Sequence, residues 1–419
     1  MQRQSFLGDL LATLWDRGRS GVADTDKRSI TDLCRALMSA EGEVSGHLLA
    51  ALILAKYANL DDAAKGAFFD FLCTDMDIDA DHVATLAQTH AVTRTPDSFV
   101  ALQKACEPKR QELLRRLNQP TGATPELVRM RVDLLAQIPK NPAFKRVDYD
   151  FVHLLRSWFN RGFLVLQKID WNTPANILEK IVAYEAVHEI KDWNDLRRRV
   201  HPPDRRCFAF FHPAMPTEPL IFVEVALTPD IPGSIDQLLS ENRAPQDPLT
   251  ASTAVFYSIS NCQAGLAGVS FGNLLIKQVA AELSRELPQL KTFATLSPIP
   301  GLMRWLKSTG RSVAPETLRN AAAHYLLDAK RDDGMPADPV TRFHLGNGAI
   351  VHAVHANADK SAKGMAQSGG VMVNYVYDLG QAEQNHEAFA TLKTVAKSKT
   401  IIPLAKSGQE ALKQGNPNV

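Results

Sequence analysis

The sequence predicts two domains of different class: a helical bundle over residues 1–160, then a mixed α/β domain over residues 161–419. Length is the first reason, since 419 residues exceed the roughly 250–300 at which a single hydrophobic core stops growing. Apolar spacing is the second: the first half repeats apolar residues at helical intervals and does not alternate with period two for long. The third is a change of character after Asn160-Arg161-Gly162, beyond which β-rich segments appear between Gly- and Pro-marked loops. Apolar residues at 45% and charged residues at 22% suit a globular chain that fills both cores.

In the first half, Leu7, Leu10, Leu11 and Leu14 share one helical face. His47–Ala58 reads as a helix buried nearly all round. Ala64–Cys73, Lys109–Leu117 and Tyr149–Phe159 are further helices. Thr124-Pro125 reads as a helix start, a hydroxyl cap followed by a proline in the first turn, where no N–H is needed. Thr173-Pro174 repeats that signal ahead of Ile177, Ile181 and Tyr184. Strands are then predicted at Cys207–Phe211, Leu220–Leu227, Ser252–Ser260, Lys291–Leu296, Ala349–His355 and Val371–Tyr377. The first two form a hairpin signal across His212–Pro219. Helices are predicted at 273–287, 314–330 and 389–397. Strands that pair locally, followed by strand, Gly loop, helix and strand, give a mixed sheet and not a doubly wound one.

With 47 basic and 46 acidic residues the net charge is +1, which excludes bulk attraction to nucleic acid or an anionic membrane. The five cysteines are scattered without a Cys-x-x-Cys, so a reducing compartment and no metal framework are expected. The longest apolar run, His47–Ala58, is far short of the roughly 20 residues that span a bilayer. Residues 1–19 lack a signal-peptide core, and the chain is expected in the cytoplasm.

Four features can carry chemistry. The loop 263–272, between a strand and a helix, holds Gly265, Gly268 and Gly272. Its backbone N–H groups and the helix start behind it suit a pyrophosphate, although a tight structural turn explains the same glycines. Ser297, in Thr-Leu-Ser-Pro-Ile-Pro, is a hydroxyl held extended by Pro298 at a strand exit, or simply a turn-bonding serine. His344, ahead of Leu-Gly-Asn-Gly, can supply or hold a proton near neutral pH, or be structural. On the last strand Tyr375 and Tyr377 share one face and Asn374 points the other way. His352 and His355 are expected on opposite faces of their strand and make a poor metal pair.

Six segments in order, 210–216, 255–260, 265–269, 296–301, 343–349 and 372–377, resemble the malonyl-CoA decarboxylase family. The resemblance implies a catalytic domain of the GNAT-type acetyltransferase fold, in which the Gly loop and following helix hold the CoA pyrophosphate. It implies Ser297 and His344 as paired catalytic residues. It places the malonyl-CoA-binding loop on Ala267, Gly268, Val269, Ser270, Phe271, Gly272 and Asn273 and links Tyr377 to the site, while Asn374 is a candidate ligand contact only because an amide at a site edge can bond a ligand. It further implies malonyl-CoA as substrate, no cofactor or metal, and a homo-oligomer (dimer or tetramer) built through the helical half. The sequence departs from the family at one loop position: eukaryotic members carry a glutamate where this chain has Ser270, so no carboxylate role transfers there.

Such a reaction needs a carboxylate held perpendicular to the thioester plane, a stabilised enolate oxygen and a proton for the α-carbon. His344 is expected as the general acid, directly or through Ser297. An acyltransferase of the same fold is the alternative, distinguished by its need for an acceptor amine. A non-catalytic CoA-binding scaffold would show no turnover, and a thioesterase would release free thiol.

Overall fold

A computed structural model describes residues 26–39, 42–269, 275–311 and 313–414. The face expected at Leu7–Leu14 and the loop positions Ser270, Phe271, Gly272 and Asn273 lie outside these residues.

The chain divides into two compact units, one of residues 1–164 with 212–216 and 263–270, the other holding the remainder. Among its described residues the first unit has eight α-helices: α1 (Ile30–Ser39), α2 (Glu43–Ala58), α3 (Asp62–Thr74), α4 (Ala80–Thr93), α5 (Pro96–Ala105), α6 (Lys109–Leu117), α7 (Ala123–Gln137) and α8 (Lys145–Trp158). Its core is apolar side chains at helical spacing, including Leu37, Ile53, Phe69, Leu113, Leu127, Leu134 and Phe151. Helix α2 is sunk from Ala50 to Leu54, while Val44 and Leu48 near its start are exposed. A buried ion pair, Arg110 with Asp150, is completed by Gln111 donating to the second carboxylate oxygen.

Two predicted helix starts differ from the structure. Helix α7 begins at Ala123 after Gly122 in the left-handed region, and the Thr124 hydroxyl donates to Asn118 Oδ1 instead of capping. The helix expected from Thr173-Pro174 runs over Ala175–Tyr184, with Pro174 as its cap residue and Thr173 Oγ1 accepting from Asp170 N–H. In each case the hydroxyl found a nearer polar partner than the helix N–H groups. Helices α4 and α5 were not legible because they bury no residue, so no apolar stripe marks them.

The second unit is a mixed sheet. Strands β1 (Val165–Ile169), β2 (Arg205–Phe211), β3 (Ile221–Thr228) and β4 (Thr253–Asn261) run antiparallel to one another in chain order. β5 (Thr292–Thr295) then lies parallel to β4, joined to it through the Gly loop and a helix over Leu275–Glu286. β5, β6 (Ser297–Pro298) and β7 (Ile350–His355) each pair antiparallel with β8 (Met372–Tyr377). This is the mixed sheet expected, with antiparallel strands leading into one parallel pair whose crossover carries the Gly loop. β1 was missed in the sequence, where only its last residue, Ile169, is fully buried. A bulge between Val351 and Ala353 leaves His352 without a cross-strand partner, so the alternation expected of His352 and His355 is interrupted.

A helix over Pro339–Gly346, called α9 below, was also missed; Asp338 caps it by accepting from Thr341 N–H, and Pro339 occupies its first turn. The turn leaving it needs Gly348, whose φ is +84° and whose missing Cβ would strike the Ala382 carbonyl. Replacing Gly348 by alanine is expected to destabilise the protein by about 2 kcal/mol or more, read as a lower unfolding midpoint in urea. A midpoint equal to wild type would remove the steric reading of this turn.

Candidate active site

Strand parity creates the site. Residues 295 and 297 face the same way, and across the ladder so do 375 and 377. Helix α9 lies over this face and lowers His344, three residues after Thr341, onto the two tyrosines.

Ser297 Oγ lies 3.1 Å from His344 Nε2. The Ser297 hydroxyl donates to Thr295 Oγ1 at 2.9 Å. The proton between Ser297 and His344 therefore sits on Nε2, which donates to the serine oxygen. The other ring nitrogen, Nδ1, is 2.8 Å from the Tyr377 hydroxyl and accepts from it. The Tyr375 ring stacks on the imidazole, with centroids 4.4 Å apart and planes at 25°, and its hydroxyl bonds Thr341 Oγ1 at 2.7 Å.

All of these groups are buried. His344 is 3% exposed, and burial alone lowers its pKa from 6.5 to about 3. Burial also holds the Tyr377 and Tyr375 phenols far above the usual tyrosine range. The pair is thus neutral at physiological pH, and so is the phenol behind it.

Ser297 and His344 open on a cavity of about 260 Å³. Its other walls are mostly apolar, from Ile221, Phe256, Ile259, Pro298, Val340 and Phe343, with Tyr257 and Asn261 of β4 the added residues that carry polar groups. A three-carbon acyl group fits such a volume, and its charge would meet few competing dipoles. Tyr377 stands behind His344 and does not line the cavity. Asn374, on the opposite face, accepts from His355 Nε2 and donates to the Pro232 and Thr295 carbonyls, so its amide is fully engaged within the sheet.

The described part of the Gly loop belongs to the helical unit. Arg131 donates to the carbonyls of Gly265 and Ala267, and Arg156 donates to the carbonyl of Gly268. Gly265 packs so closely on the Val128 carbonyl that no Cβ would fit. Gly268 has a φ of +76°, as a tight turn requires. Val269 is buried.

Asn261, Phe343 and Thr295 were not singled out in the sequence. Thr295 carried a usable signal, since it lies two residues before Ser297 on the same strand face.

The chain matches the model of the malonyl-CoA decarboxylase C-terminal domain over residues 162–318 and 310–414, and that of the N-terminal domain over residues 77–159. The chain belongs to the malonyl-CoA decarboxylase family. Mitochondrial malonyl-CoA decarboxylase of Anser anser anser is 35% identical over 356 residues, 72% of this chain and 70% of the relative. That of Mus musculus is 33% identical over 362 residues, 74% of this chain and 73% of the relative. Among solved structures, malonyl-CoA decarboxylase from Rhodopseudomonas palustris shares 48% identity, with a TM-score of 0.84 over 89% of this chain and 98% of that one. The family member from Agrobacterium vitis shares 46% identity, with a TM-score of 0.85 over 90% and 99%.

Burial of neutral His344 has a consequence for stability. Between pH 6.5 and about 3 the unfolded chain binds a proton that the folded site refuses, so His344 increasingly opposes folding as pH falls through that window. His188, held at about 4 by burial, acts in the same sense. From pH 6.5 to 4.5, two pH units at about 1.4 kcal/mol each, the stability of wild type relative to His344→Asn is expected to fall by roughly 2–3 kcal/mol. Parallel stability–pH curves for the two proteins would contradict this.

Proposed function

We propose that this chain converts malonyl-CoA to acetyl-CoA and carbon dioxide, with Ser297 and His344 as its catalytic residues. Family membership supports the reaction. The observation that carries the residue roles is the Ser297–His344 hydrogen bond at the wall of an apolar cavity.

As the C–C bond breaks, its electrons pass to the thioester oxygen and carbon dioxide leaves. The resulting enolate is a strong base, so a neutral hydroxyl is an adequate acid for its carbon. Ser297 supplies that proton, turning from Thr295 toward the cavity. His344 Nε2–H replaces it, and the Tyr377 hydroxyl in turn donates to Nδ1. The negative charge that entered as the malonyl carboxylate stays in the site until the products leave, when the Nδ1 proton returns to Tyr377 and one solvent proton enters at Nε2, so no step adds a second buried charge and the starting tautomer is restored. An apolar wall favours the transition state, where the charge is spread over the departing carbon dioxide and the thioester, over the carboxylate of the bound substrate.

The same serine–histidine pair could be read as nucleophile and base. A serine nucleophile needs a partner that stabilises the imidazolium formed behind it. Here that position is held by a phenol kept neutral by burial, which favours the relay.

The malonyl-CoA-binding loop is proposed at Ala267–Asn273, and Tyr377 acts through His344. The free state of all five cysteines fits a reducing compartment, which supports a cytoplasmic enzyme. Self-association is proposed through the helical half, where α4 and α5 bury no residue of their own and leave Val92 and Phe99 exposed.

Malonyl-CoA alone, without an acceptor, is expected to yield acetyl-CoA and carbon dioxide in equal amounts and no free thiol. Ser297→Ala and His344→Asn are expected to lower kcat by about 10²–10⁴ while remaining folded. Acceptor-dependent turnover, thiol release, or near-native kcat in either variant would overturn the reading. Phe99→Asp is expected to lower the mass measured by light scattering after gel filtration, and an unchanged mass would take α5 out of any interface.

A further inference from the structure

Strands β5 and β6 stay in register with β8 across residues 295 and 296, but the backbone ladder opens there. Thr295 closes the gap with its own groups. Its hydroxyl oxygen accepts Tyr375 N–H at 3.2 Å, and its carbonyl accepts the Asn374 amide at 2.8 Å. Leu296 N–H turns away to the Phe256 carbonyl on β4. Thr295 is fully buried, and the second hydrogen its hydroxyl oxygen accepts comes from Ser297.

We infer that Thr295 is a positioning residue that sets the direction of the Ser297–His344 hydrogen bond. This rests on the proposed roles of Ser297 and His344. A serine hydroxyl beside a neutral imidazole has two ways to pair: it donates to Nε2, or it accepts from Nε2–H. With Thr295 Oγ1 taking the serine proton, only the second remains, and Nδ1 is left bare for the Tyr377 hydroxyl. A proton is then stored on Nε2 directly behind Ser297, ready to replace the one delivered to the enolate carbon. Without the Thr295 oxygen, the serine proton turns to Nε2 and the imidazole hydrogen moves to Nδ1, facing Tyr377. When Ser297 then turns its proton toward the substrate, the Nε2 behind it is bare and none is there to replace it. Thr295 does not line the cavity, so substrate binding is unaffected.

The test compares Thr295→Val, which keeps the shape and removes the oxygen, with Thr295→Ser, which keeps the oxygen. Each is assayed on malonyl-CoA beside Ser297→Ala, with folding checked by circular dichroism. Thr295→Val is expected to lose tenfold or more in kcat with KM within twofold, and Thr295→Ser to stay within threefold of wild type. Wild-type kcat in Thr295→Val, a loss carried by KM, or an equal loss in Thr295→Ser would overturn the inference. Should the valine variant not fold, Thr295→Cys takes its place, because a thiol fills the position but accepts hydrogen bonds weakly; cysteine and serine variants of equal kcat would also overturn it. An active Ser297→Ala would instead overturn the proposed role of Ser297, while an inactive Ser297→Ala beside a fully active Thr295→Val would leave that role standing and remove only Thr295.

Discussion

Burial of an uncharged imidazole is the constraint on which the site depends. His344 sits in the last turn of a short helix, under the ring of Tyr375 and against the hydroxyls of Ser297 and Tyr377. No carboxylate is among these partners, and burial alone shifts the ring. A charged histidine would be costly there. The proposed chemistry is accordingly the passing of protons between neutral groups, with the single negative charge brought by the substrate.

That constraint explains the surrounding architecture. β8 supplies two tyrosines at strand spacing, one to stack and one to bond, and its opposite face fixes Asn374 between His355, Pro232 and Thr295. β6 is two residues long because Pro298 has no N–H to extend a ladder, and it ends where Ser297 must face the cavity. Asp338 and Pro339 start the helix that carries His344, and Gly348 turns the chain out of it into β7. Each device fixes the placement of one pair of side chains, as the proposed proton transfer requires.

Much of this is legible in the sequence. The order of helices then strands, the β2–β3 hairpin and the strand–Gly loop–helix crossover follow from apolar period and turn residues. Ser297 and His344 were marked by resemblance; their 3.1 Å contact, across 47 residues of sequence, is a property of the fold. Several elements were hidden for physical reasons. α4 and α5 have no buried face, and β1 has one buried residue. The helix of His344 is hidden although Asp338-Pro339 is a capping signal, because it is only eight residues long and too short to show an apolar period. Thr124 and Thr173 were expected as caps and bond other partners, since a hydroxyl takes the nearest available group. Strand parity in the sequence already turns Asn374 to the face opposite Tyr375 and Tyr377; what only the fold supplies is the partners that engage its amide there, His355 and the Pro232 and Thr295 carbonyls.

The most direct measurement is the pH dependence of kcat/KM for malonyl-CoA, which reports on titrating groups of the free enzyme. A buried His344 that is already neutral, with a pKa near 3, gives no inflection of its own across pH 5 to 8. An inflection near 6.5, the value of an ordinary exposed histidine, would contradict the neutral pair at the centre of the site.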